Sequence, residues 1–135
     1  MGEIMITKEY VQNLFHFLET DDNSHFFDKV ADDVNWTVMG THPLAGMYHS
    51  KTDFIVNTFI RLNKILRDGV ILKVKNIIVQ DETAVVELEA ISTAMNGKPF
   101  NNTYCWVCFF ENNIIVEVRA YVDSALVQRV IDENE

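Results

Sequence analysis

Cationic side chains are scarce in this chain: 11 lysines and arginines stand against 20 aspartates and glutamates, a formal net charge of −9. With no basic stripe to displace counterions, nucleic acid is excluded as a partner. An anionic membrane surface or a strongly acidic substrate is disfavoured on the same ground. Long apolar runs are missing too. No stretch approaches the ~20 consecutive apolar residues of a membrane span. The opening Met1-Gly2-Glu3-Ile4-Met5 has neither the basic start nor the long apolar core of a signal peptide, so a cytoplasmic protein is the default expectation. Cysteine is nearly absent, with Cys105 and Cys108 alone. Their C-x-x-C spacing falls inside an aromatic run of period two, which puts them on opposite faces of a strand. Without a second pair they make no zinc site, and two reduced, partly buried thiols are expected. Repeats, linkers and low-complexity segments are lacking as well. The 135 residues therefore read as one domain, 1–135, large enough for a core without staples.

What is present is a set of helical patterns followed by strand patterns. Tyr10, Val11, Leu14, Phe15, Phe17 and Leu18 recur at helical spacing behind Thr7, a good N-cap, and polar Thr20-Asp21-Asp22-Asn23 stops the run. A short second helix from Ser24 turns Phe26, Phe27 and Val30 inward, and Asp32-Asp33 breaks it. Residues 34–39 alternate as a strand with Val34, Trp36 and Val38 on one side, and 40–46 form a loop. A third helix over 51–67 carries an apolar stripe that includes Phe54, Phe59 and Leu62, with Gly69 as its C-cap. Strands over 70–79 and 83–93 follow, rich in β-branched residues. The stretch from Asn96 to Asp123 then holds two hairpin turns, one at Asn96-Gly97 and one at Glu111-Asn112-Asn113. A closing helix spans 124–131, with Asp123 placed as its N-cap in preference to a catalytic acid. Helices first and a mostly antiparallel sheet after them make an α+β fold, with the helices on one face.

Four segments in this order carry a family likeness: Ala31-Asp32-Asp33-Val34-Asn35-Trp36, the Gly40…Pro43-Leu44-Ala45-Gly46 loop, Asn96-Gly97-Lys98-Pro99, and Arg119-Ala120-Tyr121-Val122-Asp123. Together they resemble the SnoaL-like and ketosteroid-isomerase-related branch of the nuclear transport factor 2-like superfamily. The resemblance covers nearly the whole chain. It implies a cone-like curved sheet, mixed but mostly antiparallel, wrapped around three N-terminal helices. It also implies an apolar pocket between the layers, a small apolar molecule as partner, no cofactor, and a homodimer. The scaffold hosts isomerases, cyclases, epoxide hydrolases and many non-enzymes, so it does not settle activity.

By that resemblance, the base, tyrosine and protonated acid of a ketosteroid isomerase fall at Val38, Leu14 and Trp106, none of which can do that work. The aspartates and arginine of a limonene epoxide hydrolase fall at Glu89, Ala120 and Glu87, so one carboxylate survives there. A two-residue loop at Asn96-Gly97 sets Glu89 opposite Tyr104, with Glu87, Asn102, Trp36 and Trp106 on the same inner surface. A glutamate buried there would have its pKa raised towards neutrality, as acid–base work requires. The register of the last hairpin is open. A two-residue loop gathers Glu117, Arg119 and Tyr121 with the glutamates. A three-residue loop turns Val118, Ala120 and Val122 inward, as the resemblance implies, and is preferred.

The candidate catalytic residues are thus Glu89, Tyr104 and, from the loop at the pocket rim, His42. The candidate ligand-binding residues are Trp36, Val38, Leu14, Phe59, Asn102, Trp106, Val118, Ala120 and Val122. His42, His49, His16 and His25 share no ligand spacing, so no metal site is expected. The functional expectation is an isomerase, cyclase or hydrolase acting on an apolar carbonyl compound. The alternative is a non-catalytic module for a hydrophobic ligand or for dimerisation.

Overall fold

The computed structural model describes residues 6–20 and 22–135. The expectations for residues 1–5 and for Asp21 lie outside that range. Helix α1 (Lys8–His16) starts where Thr7 caps it, its hydroxyl accepting from the Tyr10 N–H at 3.0 Å. A 3₁₀ turn (Phe17–Glu19) closes it, and α2 (Ser24–Phe27) follows. Strand β1 (Val30–Val38) begins earlier than the sequence suggests. Asp32 and Asp33 do not break the chain but lie exposed within β1, where its pairing with the last strand slips. The 40–46 loop ends in a short edge strand, β2 (Gly46–Tyr48). Helix α3 (Lys51–Ile55) then passes through a π turn (Val56–Ile60) into α4 (Arg61–Asn63), four residues short of the expected end at 67.

The remaining strands are β3 (Leu72–Gln80), β4 (Thr83–Ala90), β5 (Ser92–Thr93), β6 (Pro99–Phe100), β7 (Thr103–Glu111) and β8 (Ile114–Val122). Helix α5 (Ser124–Asn134) ends the chain, and the Asp123 carboxylate accepts from the N–H groups of Ala125 and Leu126, the capping role expected of it. The main sheet has the order β2-β1-β8-β7-β4-β3, with β1 and β8 parallel and every other pair antiparallel. Strands β5 and β6 pair separately. Bulges interrupt β1, β3 and β8, and each bends the strand that carries it.

The two hairpins decide which side chains face the helices. At the first, the Ala94 N–H donates to the Lys98 carbonyl at 2.9 Å, so the loop is Met95-Asn96-Gly97, three residues with Gly97 at φ 89°. This is the turn-plus-left-handed-glycine form, not the two-residue form expected. The one-residue difference pairs Glu89 with Thr103 and Leu88 with Tyr104. At the second, Asn112 and Asn113 both take positive φ and form a two-residue loop, again not the length preferred from the sequence. Register slips between Phe109 and Phe110, leaving Val116 as an extra residue in β8. That bulge turns Val118, Ala120 and Val122 inward after all, with Ala120 opposite Trp106 and Val122 opposite Tyr104. Cys108 is buried on this inner face and Cys105 half-buried on the other, both as free thiols.

Candidate functional site

Between the inner sheet face and the α3–α4 segment lies a cavity of about 50 Å³. Trp36 and Val38 come to it from β1, Tyr104 and Trp106 from β7, and Ala120 and Val122 from β8. Phe54, Thr58, Phe59 and Leu62 close it from the helical side, His42 and Leu44 from the loop, Val70 and Leu72 from the start of β3, and Val127 from α5. Thr58 and Phe59, consecutive residues of the π turn, are both buried. The volume admits about one or two waters, or the head of a small molecule, and is roughly a third of a cavity that takes up benzene. Most of the space is filled by aromatic rings. Trp36 stacks on Phe54 at 3.8 Å and meets Trp106 edge-on at 5.1 Å, and Tyr104 meets Trp106 edge-on at 6.5 Å.

Among the described residues, no carboxylate, lysine or arginine lines this cavity. The Thr58 hydroxyl donates to the Phe54 carbonyl at 2.6 Å. His42 has both ring nitrogens engaged: Nε2 lies 3.2 Å from the Met39 carbonyl, and Nδ1 accepts from the Leu44 N–H at 3.1 Å. That pairing requires the neutral ring with its proton on Nε2. Burial holds the His42 pKa below the ordinary 6.5, against a smaller upward pull from the Met39 carbonyl. Since the unfolded chain takes up this proton at higher pH than the folded one, stability is expected to fall as pH drops below about 6.5. Urea midpoints at pH 7.5 and pH 5.5 check this, and the difference between them should shrink in His42→Gln.

Two polar atoms are different. Trp36 Nε1 and the Tyr104 hydroxyl are buried and have no hydrogen-bond partner in the protein. Burial pushes the Tyr104 phenol well above the ordinary tyrosine value, so it stays protonated. Native interiors rarely leave such donors unpaired, since each costs about 1–3 kcal/mol.

The sequence-derived candidates divide accordingly. Trp36, Val38, Phe59, Trp106, Ala120, Val122, Tyr104 and His42 meet at the cavity. Leu14 and Val118 are buried in the surrounding core but do not line it. Asn102 is fully buried and clamps the start of β7 to the start of α5, accepting from the N–H groups of Thr103 and Asp123 and donating to the Asp123 carbonyl. Glu89 is the main correction of position. It faces out from the sheet, 3.6 Å from Lys75, and Glu87 beside it accepts from Asn76. The desolvation expected for Glu89 needs the inner face, which Leu88 occupies instead. Leu44, Thr58, Leu62 and Val127 are wall residues that the sequence pattern does not single out; an apolar stripe tells of burial, not of a gap beside it.

Helices covering one face of a bent sheet in this strand order have counterparts among solved structures. An NTF2-like protein of Burkholderia thailandensis superposes with a TM-score of 0.78 at 23% identity, over 91% of this chain and 95% of that one. The fold is nuclear transport factor 2-like. This bears out the likeness read from the four sequence segments. No family model matches the chain. In sequence it is 30% identical over 134 residues to a fungal dimerizing cyclase, phiC, and 29% identical to the dimerizing cyclase tstC of Talaromyces stipitatus. Each alignment takes in 96% of this nuclear transport factor 2-like chain but 59% of the relative, so the chain spans less than two thirds of the proteins it resembles. No helix among the described residues is long and apolar enough to cross a membrane.

Proposed function

We propose that this chain takes the head of a small apolar carbonyl compound into the cavity and promotes a cyclisation or isomerisation there, without a cofactor. The observation that carries the reading is the cavity itself: set between sheet and helices, walled by apolar side chains, and free of charged groups. The similarity to two dimerizing cyclases supports cyclisation over hydrolysis. A wall without a carboxylate provides no strong general base. The contribution proposed for the chain is therefore to fold the substrate on itself and exclude water.

The absence of that carboxylate also favours a second reading, a non-catalytic carrier of a hydrophobic ligand. Both are tested by incubating the protein with a panel of linear unsaturated carbonyl compounds and following ring formation by mass spectrometry. Ala120→Val, whose two added methyl groups would take up much of the cavity, is the control. The enzymatic reading expects cyclised product from the wild type and none from the folded variant. Binding without product would select the carrier reading. Product formation undiminished in Ala120→Val would remove the cavity from either role.

The outer sheet face is proposed as a homodimer surface. Half-buried Val85, Val107 and Phe109 form adjacent rows with exposed Ile78 and Tyr121, and Glu117 and Arg119 flank them. Val107→Asp is expected to halve the mass seen by sedimentation; an unchanged mass would place the contact elsewhere.

A further inference from the structure

We infer that Trp36 Nε1–H and the Tyr104 O–H together hold one uncharged oxygen acceptor of the ligand, the carbonyl oxygen of a ketone, ester or lactone. The inference rests on the cavity being the ligand site and names the ligand's head and the two groups that grip it.

Elimination along the wall leaves these two donors. Thr58 has its proton committed to the Phe54 carbonyl. His42 donates to Met39 and accepts from Leu44, so neither nitrogen is free. Trp106 adds a further indole N–H on the same wall, but that nitrogen is not fully buried as the other two donors are. Among the described residues of the wall, Trp36 and Tyr104 alone carry a fully buried donor atom without a protein partner. They approach from different strands, and both rings pack edge-on with Trp106, which holds them in place.

The chemistry of the pair selects the ligand. An indole N–H only donates, and a phenol that keeps its proton offers a second donor, so the matching group is an acceptor. Nothing on the wall carries a positive charge, so a carboxylate head would be desolvated without a counter-ion. A carbonyl oxygen accepts two hydrogen bonds and loses little water on entry. Both donors lie just beneath an apolar surface, so the head must push between the rings to reach them. That also enlarges a cavity too small for a whole ring.

The test uses cyclopentanone and its hydrocarbon counterpart methylenecyclopentane, titrated into the ¹⁵N-labelled full chain. The indole N–H of Trp36 is assigned by its absence in Trp36→Phe. Cyclopentanone is expected to move that proton downfield as it saturates, and the hydrocarbon to bind without doing so. In Tyr104→Phe, ketone affinity should fall about tenfold while hydrocarbon affinity holds. Equal binding of both probes with the Trp36 indole unmoved would overturn the donor pair while leaving the apolar pocket standing. The pair is likewise overturned if Tyr104→Phe leaves the discrimination intact, since buried water then satisfies the hydroxyl. If neither probe binds, the pocket reading itself fails, and this inference with it.

Discussion

Turnover of a cyclising carbonyl substrate is expected to fall on the order of 100-fold in Tyr104→Phe and to stay at the wild-type level in Glu89→Gln. The contrast follows from where the two side chains sit. A donor set among apolar side chains bonds a carbonyl oxygen more strongly as charge develops on it, so its loss falls on kcat as well as on KM. Tyr104 is in the cavity wall and its hydroxyl answers to nothing else in the protein. Glu89 is on the opposite face, beside Lys75 at 3.6 Å. Steady-state kinetics of the two variants on one substrate decide between them. A Glu89→Gln enzyme that loses turnover with Tyr104→Phe unaffected would return the chemistry to the outer face.

Replacing Trp36 by alanine is expected to destabilise the protein by about 3–5 kcal/mol, the cost of emptying a large aromatic site that cannot collapse. Trp36 is 1% exposed, stacks on Phe54 with 18° between the planes, and meets Trp106 edge-on. Its neighbours are themselves rigid rings, so the vacated volume would join the existing cavity instead of closing. Trp36→Phe keeps a ring on Phe54 and removes the unpartnered N–H, so it should lose far less. Urea unfolding of the three proteins measures this. A loss below about 1 kcal/mol in Trp36→Ala would mean that the rings repack and that the wall is softer than its contacts suggest.

Much of the fold was legible because its signals are local. Thr7 and Asp123 announce helix starts, and the alternation of Val34, Trp36 and Val38 names the buried side of β1 without reference to a partner. Asn112-Asn113 marks the last hairpin in the same way. What failed to read through was register, which depends on loop length and bulges together. At Asn96-Gly97 both a two-residue and a three-residue loop use a left-handed glycine, and the difference of one residue exchanges Glu89 for Leu88 on the inner face. In β8 the loop is shorter than preferred, but the bulge at Val116 compensates, so the inward set of Val118, Ala120 and Val122 matches what the resemblance implied. The charged pair Asp32-Asp33 reads as a break, yet an exposed stretch of a strand next to a register slip tolerates it. The cavity was partly visible through the family resemblance, which implies an apolar pocket and leads to Trp36, Phe59 and Trp106 among its lining residues. Which polar atoms among those rings would lack a partner depends on ångström-scale packing that no pattern records.

In the proposed site the Tyr104 hydroxyl is buried without a protein partner and kept for a ligand. Urea unfolding of Tyr104→Phe against the wild type, both free of ligand, tests it most directly. Removing an unsatisfied buried hydroxyl while keeping its ring should leave the variant more stable by about 1–2 kcal/mol. A variant less stable by a similar amount would show that the hydroxyl already holds a structural hydrogen bond, and the donor pair would lose its place at the site.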